Sequence, residues 1–364
     1  MCRLIYCLPP VITGFLSGGS ATSWSPAGNR PGTEDCVTIM IAEIAENFYR
    51  ITLPMPYRLR HVHAYALVDG DNVALFDAGM NMPGAYEKLA ADLASIGLSV
   101  DSIRDIYITH VHTDHCGMAG RVQEQSKARI HLSETSHQVH AHFQQADYLI
   151  AQARLFYAKH GMSPAEVEAI VEEIEDIRIH IPQFTVDTFL QKNEIRQFGN
   201  RSFEVIFTPG HAADHVCFFF REEGLLLAGD HVLPYIAPSL SPNIYDEIFQ
   251  PLKSYLESLD IIERLPINTI HPGHGNSLTS IDERIREIRT HHTFKKQVLL
   301  KSLGVQPKTT YTICGEMIGA AAANWDDWGN FMALNETYVY LQELKRDGAI
   351  KENIIDGVLF YTAA

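Results

Sequence analysis

The pattern of apolar and polar positions becomes regular from about Ile41 onward. Short apolar or alternating runs closed by glycine, aspartate or proline are typical of β-strands and turns. They include NFYRITLP, HAYALVDG, NVALFDAG, IRDIYITH and ARIHLS. Between two of these runs, the segment MPGAYEKLAADLASIGL has Leu89, Leu93 and Ile96 at helical spacing, followed by Gly97. This pattern predicts a helix between strands.

A long helical stretch at about residues 134–180 interrupts the strands. Within it, SPAEVEAIVEEIE offers Ser163 as N-cap, Pro164 at the first helical position and Glu166 at the capping-box position. Strand-like runs return in SFEVIFTPGH, HVCFFFREEGLLLAGDH and INTIHPGHG, and each ends in polar residues. Strands and helices in this order predict an α/β layered fold with its chemistry at strand ends.

The last part of the chain has a different character. DERIREIRTHHTFKKQVLLKSLG, TTYTICGEMIGAA and NETYVYLQELKRDG predict three helices, and AIKENIIDGVLFY predicts a hairpin with Asp356 and Gly357 at its turn. These elements predict a small winged-helix-like module over residues 286–364. The α/β domain, with its helical insertion, is then expected over residues 40–285.

The first 39 residues differ from both parts. MCRLIYCLPPVITGFLSGGSA has a basic residue, an apolar run and small residues, which is the outline of an export signal, but Pro9 and Pro10 interrupt the run. The following TSWSPAGNRPGTEDC is typical of a loop. We interpret residues 1–39 as a disordered leader or a mis-assigned start ahead of Met40, with an export signal as the alternative.

Charge and cysteine usage limit the classes of partner. A formal net charge of -15 argues against a surface that holds nucleic-acid phosphates and favours a small-molecule substrate. The six cysteines include no CxxC pair and three lie in the first 36 residues, so we expect no disulfide framework and a cytoplasmic location. No apolar run reaches the length of a membrane span.

The stretch ITHVHTDHCGMAG contains four titratable side chains within six residues, namely His110, His112, Asp114 and His115. At an extended strand end, residues two apart can both point at one centre. Neutral imidazole and carboxylate are zinc ligands. The stretch therefore predicts a metal site.

Three later strand ends offer further ligands. TPGHAADH supplies His211, LLLAGDH supplies Asp230 and HPGHG supplies His274. Each lies beside or near a glycine, where the backbone can turn tightly and project the side chain into a shared cleft.

Taken in order, these residues and motifs resemble the metallo-β-lactamase superfamily over most of residues 41–281. The matching positions are Asp77 at a strand end, the histidine and aspartate motif of residues 110–115, then His211, Asp230 and His274. The resemblance implies an α/β fold, a four-layer αββα sandwich with a dinuclear metal site along one edge of its two sheets.

The resemblance also implies a ligand set. Metal one is expected to be bound by His110, His112 and His211, and metal two by Asp114, His115 and His274, with Asp230 bridging. Two Zn²⁺ are the expected cofactors, with iron or manganese as alternatives. Two such ions about 3.5–4 Å apart share a hydroxide whose pKa falls to near 7, and this hydroxide is the predicted nucleophile. Asp114, which can also orient the hydroxide, and Asp230 are the predicted catalytic residues.

Departures from the family's branches narrow the function. Asp230 stands where the commonest β-lactamases carry cysteine, and His112 where flavodiiron proteins carry glutamate. The 44 positions from Asp230 to His274 leave no room for the inserted domain of the nucleases that process DNA ends and messenger RNA. The chain most resembles hydrolases related to glyoxalase II, lactonases and the β-lactamase-like group with a C-terminal winged helix.

We therefore expect a hydrolase of a small acyl compound: a thioester, lactone or carboxylic ester. The alternative is a metal-dependent phosphodiesterase or endoribonuclease, because relatives with a winged helix include ribonucleases. From His291 onward the chain has 7 Lys and Arg against 8 Asp and Glu. This near-neutral module is expected to serve as a lid or in a homodimer and not as a DNA reader.

Several other residues are candidates for supporting roles. Asp77 is expected to hold the 110–115 loop by accepting hydrogen bonds. His231 and Tyr235 follow Asp230 and are candidates to line the pocket, and Tyr148 is a candidate lid residue of the insertion. Arg58 and Arg60 are candidates to meet an acidic substrate group at the rim. The nearby His137, His140 and His142 are interpreted as surface or lid histidines.

Overall fold

The structure, a computed structural model, describes residues 41–56, 59–178, 182–318 and 327–364. The predicted leader, residues 1–39, lies outside the described residues, as does Arg58. Within the described ranges, no helix is both long enough and apolar enough to cross a membrane.

The first sheet has seven strands that neighbour one another in chain order. They are β1 (Ala42–Ala45), β2 (Phe48–Pro54), β3 (His61–Asp69), β4 (Asn72–Phe76), β5 (Ile103–Tyr107), β6 (Arg129–Ser133) and β7 (Val186–Leu190). The strands from β1 to β4 pair antiparallel, and those from β4 to β7 pair parallel. Parallel pairing brings the carboxyl ends of β4 and β5 to the same edge, and the motif of residues 110–115 follows β5 there.

The second sheet has five strands in the order β12-β11-β10-β9-β8. They are β8 (Ile195–Phe198), β9 (Arg201–Phe207), β10 (Val216–Phe220), β11 (Leu225–Gly229) and β12 (Thr269–Pro272). Only β11 and β12 pair parallel, so the segments that leave them, which contain Asp230 and His274, begin at one edge.

The two sheets pack face to face, and the alternation of side chains along β10 shows how. Phe218 and Phe220 point into the space between the sheets, where Phe76 of the first sheet lies 5.1 Å from Phe218 between ring centroids. Cys217 and Phe219 point to the opposite face of the second sheet. Because burying one such ring contributes about 1.5–3 kcal/mol, this alternation holds the strand in its register.

Helices cover the outer faces of both sheets. Three lie on the first sheet: α1 (Ala85–Ser95), α2 (Thr113–Cys116) and α3 (Ala119–Ser126). The insertion forms α4 (Glu134–Gln144), α5 (Ala146–Lys159) and α6 (Pro164–Arg178). The second sheet is covered by α7 (Pro251–Glu263) and α8 (Ile281–Ser302). The predicted four-layer αββα sandwich is therefore confirmed.

The end of the chain contains the predicted helices and hairpin. They are α8, α9 (Thr310–Ile318), α10 (Asp327–Arg346), β13 (Ile350–Ile355) and β14 (Val358–Ala363). Helix α8 runs across the expected boundary between residues 285 and 286, and one apolar core joins the outer face of the second sheet to α10 and the hairpin. The winged-helix assignment and the domain division stay predictions.

The insertion also rests on this last part of the chain. Phe156 and Tyr157 of α5 share an apolar cluster with Leu334 and Tyr338 of α10. The Tyr157 hydroxyl donates to the side-chain oxygen of Asn335 at 3.1 Å. These contacts fix the insertion at its far end, away from α4.

Candidate metal centre

Seven side chains from loops at strand ends converge at one edge of the sandwich. His110 and His112 follow β5, Asp114 and His115 lie on the short helix α2, and the remaining three follow later strands: His211 after β9, Asp230 after β11 and His274 after β12. All are buried except His112, which is half-buried. The convergence joins residues up to 164 positions apart in the sequence.

His110, His112 and His211 form what we call the imidazole half of the centre. The Nε2 atom of His110 lies 2.9 Å from Nδ1 of His112, and Nε2 of His211 lies 3.1 Å from that same Nδ1. On its outer side, His211 Nδ1 donates to the carbonyl of Ser239 at 2.7 Å. In the neutral ring this bond leaves Nε2 with a free lone pair that faces the other two rings.

Asp114, His115 and His274 form the carboxylate half. An Asp114 oxygen, Oδ2, lies 3.2 Å from Nε2 of His274 and 3.8 Å from Nε2 of His115. The outer nitrogens are again held: His274 Nδ1 donates to the carbonyl of His61 and His115 Nδ1 donates to Asp77, both at 2.8 Å. Both Nε2 atoms therefore face inward.

Asp230 lies between the two halves. Its Oδ1 is 3.4 Å from His115 Nε2, and its Oδ2 is 3.5 Å from His274 Nε2 and 3.7 Å from His211 Nε2. The backbone N–H of Asp230 donates to Nε2 of His215 at 3.1 Å, which fixes the loop. One carboxylate thus reaches both groups of histidines.

The positions of the donor atoms suit a bound cation better than they suit hydrogen bonds among the side chains themselves. Among the described residues, Nε2 of His115 and Oδ1 of Asp230 are buried without a hydrogen-bond partner. Buried polar atoms rarely stay unpaired in a native fold. Ligand atoms within 4.8 Å of one another form three groups, one being the imidazole half, one the carboxylate half and one made of His110, His115 and Asp230.

Electrostatics divide the histidines into two kinds. Burial and the neighbouring His211 lower the pKa of His112 to about 3, and burial with neighbouring histidines lowers that of His110 well below its usual value. Burial opposes protonation of His274 too, but Asp230 and Asp114 raise its pKa to about 10. The carboxylate half therefore attracts positive charge, which divalent cations supply.

Asp77 lies where the sequence predicts a support for the motif loop. Its carboxylate accepts hydrogen bonds from the backbone N–H and the hydroxyl of Thr109, at 2.8 and 2.9 Å, besides the one from His115. Its φ of 58° is a left-handed conformation that costs free energy in a residue other than glycine. The three hydrogen bonds hold this conformation at the end of β4.

Two supporting residues were missed by the sequence reasoning. Asp214 is buried and accepts from the backbone N–H of Val111 at 3.0 Å and from the Ser136 hydroxyl at 2.8 Å, which links the motif loop to α4. Gly273 approaches the centre so closely that a Cβ there would lie 2.6 Å from Asp230 Oδ1. A signal for Asp214 was present, because it lies between two histidines in HAADH.

Among the described residues, the other candidates contribute no donor atom to the three groups of ligand atoms. His231 is completely buried and packs on Tyr255, at 5.0 Å between centroids, so it does not line an open pocket as considered from the sequence. Tyr235 is 71% exposed and accepts a hydrogen bond from Asn276. Tyr148 is 43% exposed on α5, and Arg60 is exposed just before β3.

Comparisons with known proteins agree with this geometry. The family model described as the metallo-beta-lactamase superfamily matches residues 57–274. The chain is 26% identical to the probable metallo-hydrolase YqjP of Bacillus subtilis over 312 residues, which cover 84% of this chain and 94% of that protein. Over 102 residues, 28% of this chain and 30% of the relative, it is 31% identical to an atrochrysone carboxyl ACP thioesterase of Aspergillus fumigatus.

A solved structure is similar over most of the chain. It is a metallo-beta-lactamase family protein from Thermus thermophilus, with a TM-score of 0.77 and 27% sequence identity. The match covers 88% of this chain and 100% of that one. The likeness therefore extends past the α/β sandwich into the C-terminal helices.

Proposed function

We infer the function of this chain from its family, since it belongs to the metallo-β-lactamase superfamily, whose members include metallo-hydrolases. Within that family we propose a hydrolase that holds two divalent ions, zinc as the first choice, and cleaves a small acyl compound. Thioesters, lactones and carboxylic esters are the proposed substrates. The observation that carries the proposal is the convergence of seven donor side chains around unpaired buried atoms of His115 and Asp230.

The donor set suggests which residues would hold each ion. The imidazole half would hold one ion through three nitrogens, and the carboxylate half would hold the other through two nitrogens and Asp114. Asp230 reaches both halves and would be shared. Nitrogen and carboxylate donors without thiolate suit zinc, and they also suit iron or manganese, which metal analysis distinguishes.

When bound, two such ions lower the pKa of a shared water to near neutrality and so supply a hydroxide nucleophile without a serine or cysteine. The chain's own residues prepare the place for it. Carbonyls of Ser239 and His61 and the Asp77 carboxylate fix three rings in one orientation each. Asp114, inside the cluster, is proposed to orient the attacking water, and Asp230 to keep the two halves at a fixed separation.

The choice of an acyl substrate rests on three supports. One relative, similar over 102 residues, is named an atrochrysone carboxyl ACP thioesterase, and a thioesterase hydrolyses acyl thioesters. The net charge of -15 opposes the binding of a polyanion such as RNA. From His291 onward the chain carries 7 Lys and Arg against 8 Asp and Glu, so this part has no excess of positive charge to attract a polyanion. A cytoplasmic location and a homodimer stay proposals.

The test is a screen of the metal-reconstituted protein against S-acyl thioesters, lactones, carboxylic esters and a single-stranded RNA. We expect two ions per chain by elemental analysis and turnover of at least one acyl class. His112→Ala should lower that turnover by at least about 10²-fold, because one ion loses a ligand. His137→Ala, an exposed histidine on α4, is the matched control and should keep both ions and full turnover.

Two results would contradict the proposal. RNA cleavage without turnover of any acyl compound would favour the phosphodiesterase alternative. One tightly bound ion per fully active chain would exclude the dinuclear centre.

A further inference from the structure

Three aromatic rings meet where the insertion contacts the segment that follows β11. His142 lies on α4, Tyr148 on α5 and Tyr245 on that segment, residues 230–250. The Tyr245 ring centroid is 4.2 Å from that of His142 and 5.7 Å from that of Tyr148, and the two tyrosine rings are within 17° of parallel. We call these three residues the aromatic wall.

Both elements that meet in the aromatic wall are anchored at the candidate metal centre. Helix α4 begins beside it, where Ser136 donates to Asp214, and His142 is six residues further, about 9 Å along the helix axis. The other element accepts the hydrogen bond of His211 at Ser239, six residues before Tyr245. Both elements of the wall are thus tied by hydrogen bonds to the loop that carries His211.

The aromatic wall contains polar atoms that its own packing leaves unpaired. Nδ1 of His142 and the hydroxyl of Tyr245 are buried and have no hydrogen-bond partner among the described residues. Burial and the nearby Tyr148 raise the pKa of Tyr245, so its hydroxyl stays protonated and can donate. Tyr148 keeps 43% of its surface exposed, which leaves ring surface available to a ligand. Ordinary helix packing explains the stacking of the rings but not the unpaired atoms.

The charged residues around the aromatic wall indicate which kind of aromatic ligand can bind there. The neighbours Asp147, Asp246 and Glu247 are exposed acids, and Lys159 pairs with Glu247 at 2.9 Å. A nucleotide would bring phosphates to this acidic surface. A neutral aromatic ring meets no such repulsion, and stacking on aromatic side chains is favourable.

We propose that the aromatic wall is the acyl-recognition surface of the enzyme and selects a planar aromatic acyl group with a polar substituent. The ring stacks on Tyr148, and the substituent accepts a hydrogen bond from the Tyr245 hydroxyl and pairs with His142 Nδ1. This inference rests on the proposed function and names its substrate class. The residues of the wall act in binding and take no part in the chemical step.

The test measures binding, with carboxamides as chemically stable analogues of the proposed ester and thioester substrates. Binding of 2-hydroxybenzamide and of cyclohexanecarboxamide, which is similar in size but not planar, is measured by calorimetry on the metal-loaded protein. We expect the wild type to prefer the aromatic amide by about tenfold, and Tyr148→Leu to reduce that preference about three- to tenfold. Phe294→Leu, which changes an exposed aromatic residue on α8, is the matched control and should change nothing.

Tyr245→Phe keeps the ring and removes the hydroxyl, so it tests the hydrogen bond with little risk to the fold. It should weaken 2-hydroxybenzamide about fivefold or more and leave benzamide unchanged. Equal affinity of wild type and Tyr148→Leu for both amides overturns the inference, and so does tighter binding of adenosine than of the aromatic amide. If the protein binds the aromatic amide selectively but turns over no acyl compound, the proposed role of the aromatic wall in binding is supported. Only the proposed hydrolase activity is then contradicted.

Discussion

The imidazole half and the carboxylate half lie side by side, yet their electrostatic environments are opposite. In the first, burial and mutual repulsion keep His110 and His112 neutral. In the second, Asp230, Asp114 and Asp77 overcome the burial of His115 and raise its pKa well above the usual value. His115 and His274 would bind protons where no cation is present, whereas His110 and His112 would not.

This difference shows how the two halves prepare their nitrogens for a metal in different ways. In the imidazole half, His110 and His112 offer neutral rings that are ready to coordinate. The carboxylate half offers negative charge, which attracts a cation but attracts protons as well. The first half should therefore bind its ion with less dependence on pH than the second, and Asp230 is the one side chain whose loss should affect both.

The largest effect is expected for Asp230→Asn. The amide has one neutral oxygen in place of two anionic ones, so it would serve at most one half and would bring no negative charge to either. We expect both ions to bind more weakly and turnover to fall about 10²–10³-fold or more. Elemental analysis after gel filtration and steady-state kinetics measure the two effects. Loss of ions from one half only would show that Asp230 does not join them.

A smaller effect, unequal between the two halves, is expected for Gly273→Ala. The added Cβ would lie 2.6 Å from Asp230 Oδ1 and 2.7 Å from Cε1 of His115, so it disturbs the carboxylate half. We expect about 10–100-fold weaker binding of the ion in the carboxylate half and a smaller loss in the imidazole half, because the displaced Asp230 is shared, and chelator competition measures both. Gly315→Ala on α9 is the matched control, because a Cβ there has no neighbour within 4 Å. Equal weakening of both ions would contradict the division into halves.

The smallest effect on activity is expected for an aspartate–histidine contact outside the centre. Asp105 accepts from His131 Nε2 and from Arg129, each at 2.8 Å. Burial alone would raise the pKa of Asp105. The hydrogen bonds from His131 and Arg129 lower it by more than burial raises it, so the pKa of Asp105 is below its usual value. Its stabilisation is therefore present above the unfolded-state pKa and is lost as the pH falls through the folded-state value.

Asp105→Asn should cost about 2 kcal/mol of unfolding free energy at pH 7. The difference from wild type should shrink at pH 3, because acid removes the same contribution from the wild type. Urea unfolding at both pH values measures it, while metal content and turnover stay unchanged. A change in metal content would mean that metal binding depends on this contact in the first sheet and not only on the loops that carry the ligands.

The ligands could be predicted from sequence because each is a side chain of a recognisable type at a strand end. His110, His112, Asp114 and His115 fall within six residues, and the αββα order of elements agrees with their placement. The apolar runs of β10 and β11 likewise predicted strands. Local patterns of this kind depend on residues that are close in sequence, and the structure confirms the fold they imply.

The partners of the ligands could not be predicted in the same way. Ser239 and His61 act through backbone carbonyls, which every residue has, and Gly273 acts through the absence of a side chain. His142 and Tyr245 are 103 positions apart, so nothing local indicates that their rings meet. The contacts that tune the centre depend on how distant segments pack, and a single sequence does not contain that information in local form.

The apolar core shared by the second sheet and the C-terminal helices has a consequence for how this chain can be divided. Leu226, Phe219 and Ala228 on the sheet lie in one cluster with Val339 and Leu341 of α10. A chain cut after residue 285 would keep every candidate ligand but expose this surface to solvent, and we expect it to aggregate. We therefore expect the α/β sandwich and its C-terminal helices to fold together and to lose stability together when either is removed.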